Sequence, residues 1–239
     1  MSILDRRLHG RKLKRGTLDG NRFTLTVRAL EGDLEQTEER LETIRVSGVP
    51  NYFGPQRFGH GGQNVARGAS WLKHGGRLPR NKKSIYISAV RSFIFNEVLS
   101  RRVDERVWNQ LLDGDIASLD GSRSTFVCEL PDRELTRRCE AFDIHPSGPL
   151  PGKTGAGSRH VCLPVEQCVL DAHEELVKGL EKAGVKSDRR SLRLAPGAMS
   201  WDLSDNILEL EFELPPGGYA TSVLRELVTS SPVSISEST

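Results

Sequence analysis

The sequence predicts an α+β protein in which two pieces of one sheet flank a mostly helical middle. Three observations predict it. Phe23, Leu25, Val27 and Ala29 alternate with Thr24, Thr26 and Arg28 near the start, which is the period of a half-buried strand. Leu208, Leu210, Phe212 and Leu214 alternate with Glu209, Glu211 and Glu213 near the end, the strongest strand pattern in the chain. Between them, residues 84–103 are apolar over most of a helix circumference, through Ile85, Ala89, Val90, Phe93, Ile94, Val98 and Leu99. Such a helix belongs at the centre of a helical core. A chain of 239 residues is long enough to bury that core and to hold one or two domains.

Each element has its own local signal. Gly20-Asn21 marks the turn into the first strand. Leu34, Thr37, Leu41 and Ile44 recur at helical spacing with acids between them, an amphipathic helix over 33–46 that stops near Gly48. Val65, Ala66, Ala69 and Leu72 predict a short helix ended by Gly75-Gly76, and the following Arg77-Leu-Pro-Arg80-Asn-Lys82-Lys83 reads as a basic loop. Arg91 and Asn96, polar on an otherwise apolar helix, call for structural partners or an open cavity. Residues 113–163 read as irregular, with strand-like pieces such as 124–130. Gly148-Pro-Leu-Pro-Gly152-Lys153-Thr154 imitates a phosphate loop, but three residues separate its glycines where four are needed, so it reads as a flexible loop. Pro164 opens a helix with Val165, Val169, Ala172, Leu176, Leu180 and Ala183 on one face, His173 at the edge of that stripe and Gly184 as its stop. Residues 191–194 and 199–203 are short strands, and Asp205-Asn206 is a turn. After Pro215-Pro-Gly-Gly218, a last helix turns Val223, Leu224, Leu227 and Val228 inward. A Ser/Thr-rich tail begins at Thr229.

Bulk properties exclude several classes. A net charge of +2 with 28% charged residues describes an ordinary soluble protein. The charge is unevenly spread: residues 1–28 hold eight Lys/Arg, among them Arg11, Lys12, Lys14 and Arg15, against Asp5 and Asp19. That local basic face suits phosphates. No apolar run reaches the ~18–20 residues of a membrane span, and no signal-peptide core opens the chain. Cys128, Cys139, Cys162 and Cys168 show no C-x-x-C spacing, so free thiols in a reducing cytoplasm are expected. His160, Cys162 and Cys168 lack a suitably spaced fourth ligand, and no metal is expected.

Residues 48–59, Gly-Val-Pro-Asn-Tyr-Phe-Gly-Pro-Gln-Arg-Phe-Gly, fit neither a helix nor a strand. Pro50 and Pro55 fix φ and remove donors, while Gly54 and Gly59 permit angles other residues avoid. Order there requires Tyr52, Phe53 and Phe58 to pack, which leaves Asn51, Gln56 and Arg57 as positioned polar groups. The composition fits a rigid interdomain corner or a functional loop equally.

Asn51-Tyr52-Phe53-Gly54-x-Gln56-Arg57-Phe58-Gly59 resembles the signature of the TruD family of tRNA pseudouridine synthases. Two further segments agree, in the right order: Arg11-Lys12-Leu13-Lys14-x-Gly16-x-Leu18-x-Gly20-Asn21-x-Phe23, and Tyr219-Ala220-Thr221-Ser222-Val223-Leu224-Arg225-Glu226-Leu227. The resemblance covers nearly the whole chain. It implies a split synthase fold: residues 1–46 and 196–239 would belong to the catalytic domain and 47–195 to the TruD insertion. It also implies isomerisation of a uridine, position thirteen of certain tRNAs, without metal or organic cofactor. The family's catalytic aspartate sits in a Gly-x-Lys-Asp motif, and that motif is absent from this sequence. The expectation is therefore the C-terminal two-thirds of such an enzyme, inactive alone; the alternative is a non-catalytic RNA-binding module or a truncated remnant. Asp19 and Asp5 precede Phe23 but stand in no comparable context.

Making pseudouridine means cutting an N-glycosidic bond, turning the base and rejoining it through carbon. The target base must leave its stack, meet an aromatic face and face a carboxylate. By resemblance, Phe23 would stack on the flipped base and Asn21 would position the carboxylate or the base. Asn51, Gln56, Arg57 and Phe58 would line or brace a cleft between the domains. Arg225 and Glu226 would form an internal ion pair under the site or contact substrate. Arg11, Lys12, Lys14 and Arg15 would grip phosphates, with the loop of Arg80, Lys82 and Lys83 as a second surface for a structured RNA.

Overall fold

A computed structural model describes residue 10 and residues 19–154 and 157–228. β1 (Asn21–Val27) keeps the period of two, with Phe23, Leu25 and Val27 half-buried between exposed neighbours. Asp33 starts α1 (Leu34–Ser47) by accepting the amides of Glu35 and Gln36 at 2.9 and 3.2 Å, which satisfies two of the orphan donors at a helix start. Gly48 ends it at φ 74°; a Cβ there would stand 2.7 Å from the Leu194 carbonyl, so only glycine fits.

A two-residue strand, β2 (Val49–Pro50), leads into the aromatic loop and two 3-10 turns. Then come α2 (Gln63–His74) and α3 (Arg80–Asp104). Gly75 stops α2 as its sequence suggests. α3 begins earlier than its apolar stripe: Arg80, Lys82 and Lys83 form its first turn behind Pro79, not a loop. Pro79 fixes the entry angle, and the amides of a first turn need no intrahelical acceptor, so a polar run can be helical there.

Within residues 113–163, β4 (Thr125–Cys128) falls in the strand-like piece expected at 124–130, while β3 (Asp115–Leu119), α4 (Arg133–Glu140) and β5 (Ile144–Leu150) replace the irregular structure expected around it. β5 takes in residues 148–150, the start of the segment read as a flexible loop, and Ile144–Pro149 are buried. Its two prolines and glycine hide a strand from any propensity argument. Gly148 is required by packing, since a Cβ would lie 2.8 Å from Leu192 Cδ2 and 3.0 Å from Phe95.

The helix expected over 164–183 is two, α5 (Cys162–Ala172) and α6 (Glu174–Lys182), broken at His173. His173 packs edge-on to Phe93 at 5.1 Å, and the change of direction brings Gly179 against Leu72 of α2. The apolar periodicity runs through the break, so spacing alone joins the two. β6 (Asp188–Ser191), β7 (Arg193–Leu194), β8 (Gly197–Ser204), β9 (Ile207–Leu214) and α7 (Ala220–Leu227) complete the chain. Asp205 and Asn206, at φ 50° and 59°, make the tight β8–β9 turn.

The fold is α+β and, among the described residues, has three antiparallel sheets, ordered β1-β9-β8, β2-β7 and β4-β3-β5-β6. In the first, Phe23 opposes Phe212 and Leu25 opposes Leu210, so the two alternating segments share one apolar face. α1 and α7 cover that face through Leu41, Ile44, Val223 and Leu227. A second core, Tyr52, Phe53, Phe95, Leu99 and Leu192, lies under the aromatic loop, and a third joins α3 to α5 and α6. The chain leaves the first unit at β2 and returns at β7, where Val49 opposes Leu194 and Pro50 opposes Arg193. No helix among the described residues is long and apolar enough to cross a membrane.

Candidate functional site

The aromatic loop is ordered because α3 and α7 both clamp it. Asn96 of α3 accepts the Phe53 amide at 3.0 Å and donates to the Phe53 carbonyl at 3.1 Å, so one side chain serves as a missing strand. The Tyr52 hydroxyl meets Ser100 at 3.1 Å, and Ser222 of α7 donates to the Tyr52 carbonyl at 3.0 Å. A Cβ on Gly54 would sit 3.1 Å from Thr221 Oγ1 and 3.2 Å from the Tyr219 ring, so the loop lies directly on the start of α7.

Two guanidiniums gather on this platform. Arg57 donates to the Tyr219 hydroxyl at 2.9 Å and to Ser88 at 2.9 Å, with its carbon 5.2 Å from the Phe53 ring centroid. Arg190 stacks on the same ring at 4.2 Å and donates to Asn51 Oδ1 at 2.5 Å and to the Gly217 carbonyl at 3.0 Å. Asn51 in turn donates to the Ser191 carbonyl at 2.8 Å, which fixes its amide orientation. All these partners are neutral. Burial brings the Arg190 pKa down to about 10, with Tyr219 opposing the shift and Arg57 adding to it.

Asn51, Phe53 and Arg190 line a cleft of about 1120 Å³. Its other borders include Asp19 beside β1, the Asp120–Arg123 turn between β3 and β4, and Pro215-Pro216 after β9, so both units of the chain contribute walls. His145 also lines it, as the middle of a relay. Its Nδ1 accepts from Arg193 Nε at 3.1 Å, which leaves Nε2–H to donate to Asp120 Oδ1 at 3.0 Å. Burial first, and the Arg193 charge second, push the imidazole pKa down, with Asp120 opposing.

The other expected residues are distributed unevenly. Phe23 stacks on Phe212 with centroids 5.5 Å apart and packs half-buried against the first core. Asn21 is exposed at the start of β1, opposite Leu214, which precedes the Pro215 of the cleft wall; neither Asn21 nor Phe23 lines the cleft. Gln56 is exposed on a 3-10 turn, and Phe58 packs against the second core. Arg225 spends its guanidinium on the Tyr52 ring at 4.4 Å, and the expected ion pair with Glu226 is not among the salt bridges of the described residues. Burial raises the Glu226 pKa, opposed by the charges of Arg225 and Arg40. Arg11, Lys12, Lys14 and Arg15 lie outside the described residues.

Sequence reasoning missed Arg190. Its signal was the Arg189-Arg190 pair just before a short strand, and nothing local separates the two roles. Arg189 turns the other way, pairing with Glu166 at 2.5 Å inside a buried network. There Arg102 pairs with Asp115 at 2.8 Å and the Cys162 thiol donates to Asp115 at 2.9 Å. Asp115, Cys162 and Glu166 converge closely enough to hold a cation, but both carboxylates are already bonded to guanidiniums and burial raises the thiol pKa steeply. His160 pairs with Glu129 and Cys168 with Arg101, so the three residues weighed as metal ligands point to different partners.

Comparison with known proteins places this architecture. The sequence model of a family described as tRNA pseudouridine synthase D (TruD) matches residues 1–67 and 62–227. The chain is 45% identical over 229 residues to the tRNA pseudouridine synthase D of Hydrogenovibrio crunogenus, covering 95% of this chain and 66% of that protein. It is 47% identical over 224 residues to that of Nitrosococcus oceani, covering 92% of this chain and 62% of that protein. The chain thus spans slightly under two thirds of the curated relatives it matches. In fold it resembles the crystal structure of a putative tRNA pseudouridine synthase D (TruD) from Methanosarcina mazei, with a TM-score of 0.64 at 21% identity over 91% of this chain and 70% of that one. With a family match running from the first strand through the last helix, and relatives this similar along nearly all of its length, the chain belongs to the TruD family.

Proposed function

We propose that the cleft between the two units binds tRNA for isomerisation of a uridine to pseudouridine, as the names of the relatives suggest, at position thirteen as the motif resemblance implies. The observation that carries this reading is Arg190: a cation stacked on Phe53, hydrogen-bonded only to neutral groups and facing a large cleft. A phosphate or a base carbonyl supplies what that guanidinium lacks. Asn51 and Arg57 serve it as braces, and Gln56 and Phe58 shape the turn beside it. Arg225 acts on the site through Tyr52, with Glu226 behind it. Residues 1–46 and 196–239 make up the synthase piece and 47–195 the insertion, a division supported by the β2–β7 pair at which the chain crosses twice.

Phe23 offers a half-open ring for the displaced uracil, and Asn21 orients the carboxylate that attacks or deprotonates it. No Gly-x-Lys-Asp occurs among these residues, so the chain by itself binds tRNA without converting it. Among the carboxylates that line the cleft, Asp19 is the alternative nucleophile to test first, because it lies two residues before Asn21. Arg11, Lys12, Lys14 and Arg15 add phosphate contacts. No metal or organic cofactor enters this chemistry.

The test is tRNA binding and pseudouridine formation on an unmodified transcript. Three proteins are compared: this chain, its Arg190→Gln variant, and the chain joined behind the first third of the Hydrogenovibrio crunogenus relative. Binding by the chain, roughly tenfold or greater weakening by Arg190→Gln (about 1.4 kcal/mol), and product only from the joined protein support the reading. Absence of tRNA binding removes it in favour of a remnant, and binding with no product even from the joined protein favours a non-catalytic module. Product from the chain alone would make Asp19 the first residue to replace.

A further inference from the structure

From Thr43 to Asn96 the chain carries nine of its 34 Lys/Arg and none of its 32 Asp/Glu. This segment is the end of α1, the aromatic loop, α2 and the first two thirds of α3, so the fold concentrates cations on one helical hairpin. Lys73 there pairs with Glu175 of α6, while Arg80, Lys83 and Arg91 form no salt bridge among the described residues. A groove of about 530 Å³ runs along it, lined by Arg80, Lys83 and Arg91 of α3 and by Phe53 and Leu150. Phe53 and Leu150 also line the large cleft, so the two cavities adjoin there. At the far end the Lys83 ammonium lies 5.0 Å from the Trp71 ring centroid. Trp71 borders a further depression of about 330 Å³ together with Arg67 and Arg77.

Arg91 shows that the groove is not fully satisfied from within. Its Nη2 donates to the Leu150 and Lys186 carbonyls, while its buried Nε has no partner. From Arg91 to Arg80 the α3 axis spans roughly 16 Å, a length that accommodates several phosphates in a row. Cations outside any salt bridge, followed by an aromatic ring, are the combination that holds an unpaired nucleic-acid strand: the cations track the backbone and the ring takes a base.

We propose that RNA bound in the cleft continues past Phe53 along this groove, with phosphates against Arg80, Lys83 and Arg91 and an unpaired base against Trp71. The proposal rests on the RNA reading of the cleft and extends it to a second, linear contact made by a segment flanking the target. Recognition there is indifferent to sequence, because every base has a stacking face. It lengthens the footprint and raises the salt dependence.

The experiment measures affinity for an unmodified tRNA transcript across a salt series, using the chain with five sets of substitutions. Arg80→Gln with Lys83→Gln is expected to weaken binding about tenfold and to flatten the slope of log Kd against log salt by about 1.4–1.8, two charges' worth. Arg133→Gln with Lys182→Gln, an equal loss of charge at exposed positions elsewhere, is expected to change neither. Trp71→Leu is expected to weaken binding by fivefold or more without altering the slope, and Trp71→Phe to retain most of it. Affinity and slope equal to the parent chain in the first double variant would overturn the track, as would equal effects from the control pair. Equal weakening by Leu and Phe at position 71 would overturn the base contact, since Phe keeps a ring and loses only the indole bond to Gly76. Loss of binding confined to Arg190→Gln would leave the cleft reading standing and end this one, whereas a parent chain that binds no tRNA removes both.

Discussion

Arg190 and His145 take opposite solutions to the same difficulty, a titratable group enclosed at the cleft. Arg190 keeps its charge by stacking on Phe53 and Phe95, whose ring faces attract a cation. His145 gives its charge up. With Arg193 donating to Nδ1, the ring is neutral and its Nε2–H is committed to Asp120. The native pKa lies below the ordinary 6.5, so as pH falls the unfolded chain takes up its proton first. Stability contributed by the neutral ring is therefore full above about pH 6.5 and is lost as pH falls toward the depressed native value. In urea titrations at about pH 7.5 and 5.5, the parent chain should lose more stability on acidification than His145→Gln; parallel losses would show that this imidazole is not shifted. Residues of this kind were poorly legible in the sequence. Asn51 and Arg57 stood in a composed loop and drew attention, but Arg190, Arg193 and His145 acquire their roles from partners 25 to 139 positions away that no spacing rule connects.

Among the elements, legibility followed how far a segment depends on its own periodicity. β1, β9 and α1 each bury one regular face, and their limits fall within a residue or two of what the pattern predicts. β5 depends on its neighbours: with Pro146, Gly148 and Pro149 it is held by β3, β6 and the α3 ring of Phe95. The α5–α6 break at His173 is likewise set by what α6 packs on. The α2–α3 hairpin shows how tight such packing is. Gly68 is buried in α2 where a Cβ would lie 2.7 Å from Val90 Cγ2 and 2.9 Å from the Tyr86 carbonyl. Gly68→Ala would raise intrinsic helix propensity by up to about 1 kcal/mol, yet the backbone carbonyl cannot yield, and overpacking should cost about 1–3 kcal/mol. We expect a net destabilisation in chemical unfolding, with the hairpin pushed apart and the Lys83–Trp71 contact loosened. A stabilised variant would mean that α2 and α3 have slack between them.

At the scale of the molecule, three cores are arranged so that the middle one touches both units. Tyr52 and Phe53 come from the loop, Phe95 and Leu99 from α3, and Tyr219 packs on them from the start of α7. Hydrogen bonds from Arg57 to Tyr219 and from Ser222 to Tyr52 cross the same boundary, so the walls of the cleft are tied at its floor. This tie was half legible: the composition of the loop suited a rigid corner as well as a functional loop, while the rings and hydroxyls that lock it belong to the distant end of the chain. The β2–β7 pair has a separate consequence. Across an antiparallel pair the Cα atoms are only about 5 Å apart, so the segment that departs after Pro50 comes back to the place it left. Geometrically it is a cassette with a closed doorway. Replacing 51–192 by a short Asn-Gly turn should leave α1, α7 and the three-stranded sheet joined without strain, with their own buried leucines and Phe212 intact. A cooperative thermal transition in that miniature, followed by circular dichroism, would show that the remaining unit folds without its guest; a gradual one would show that the guest props its host open and upright.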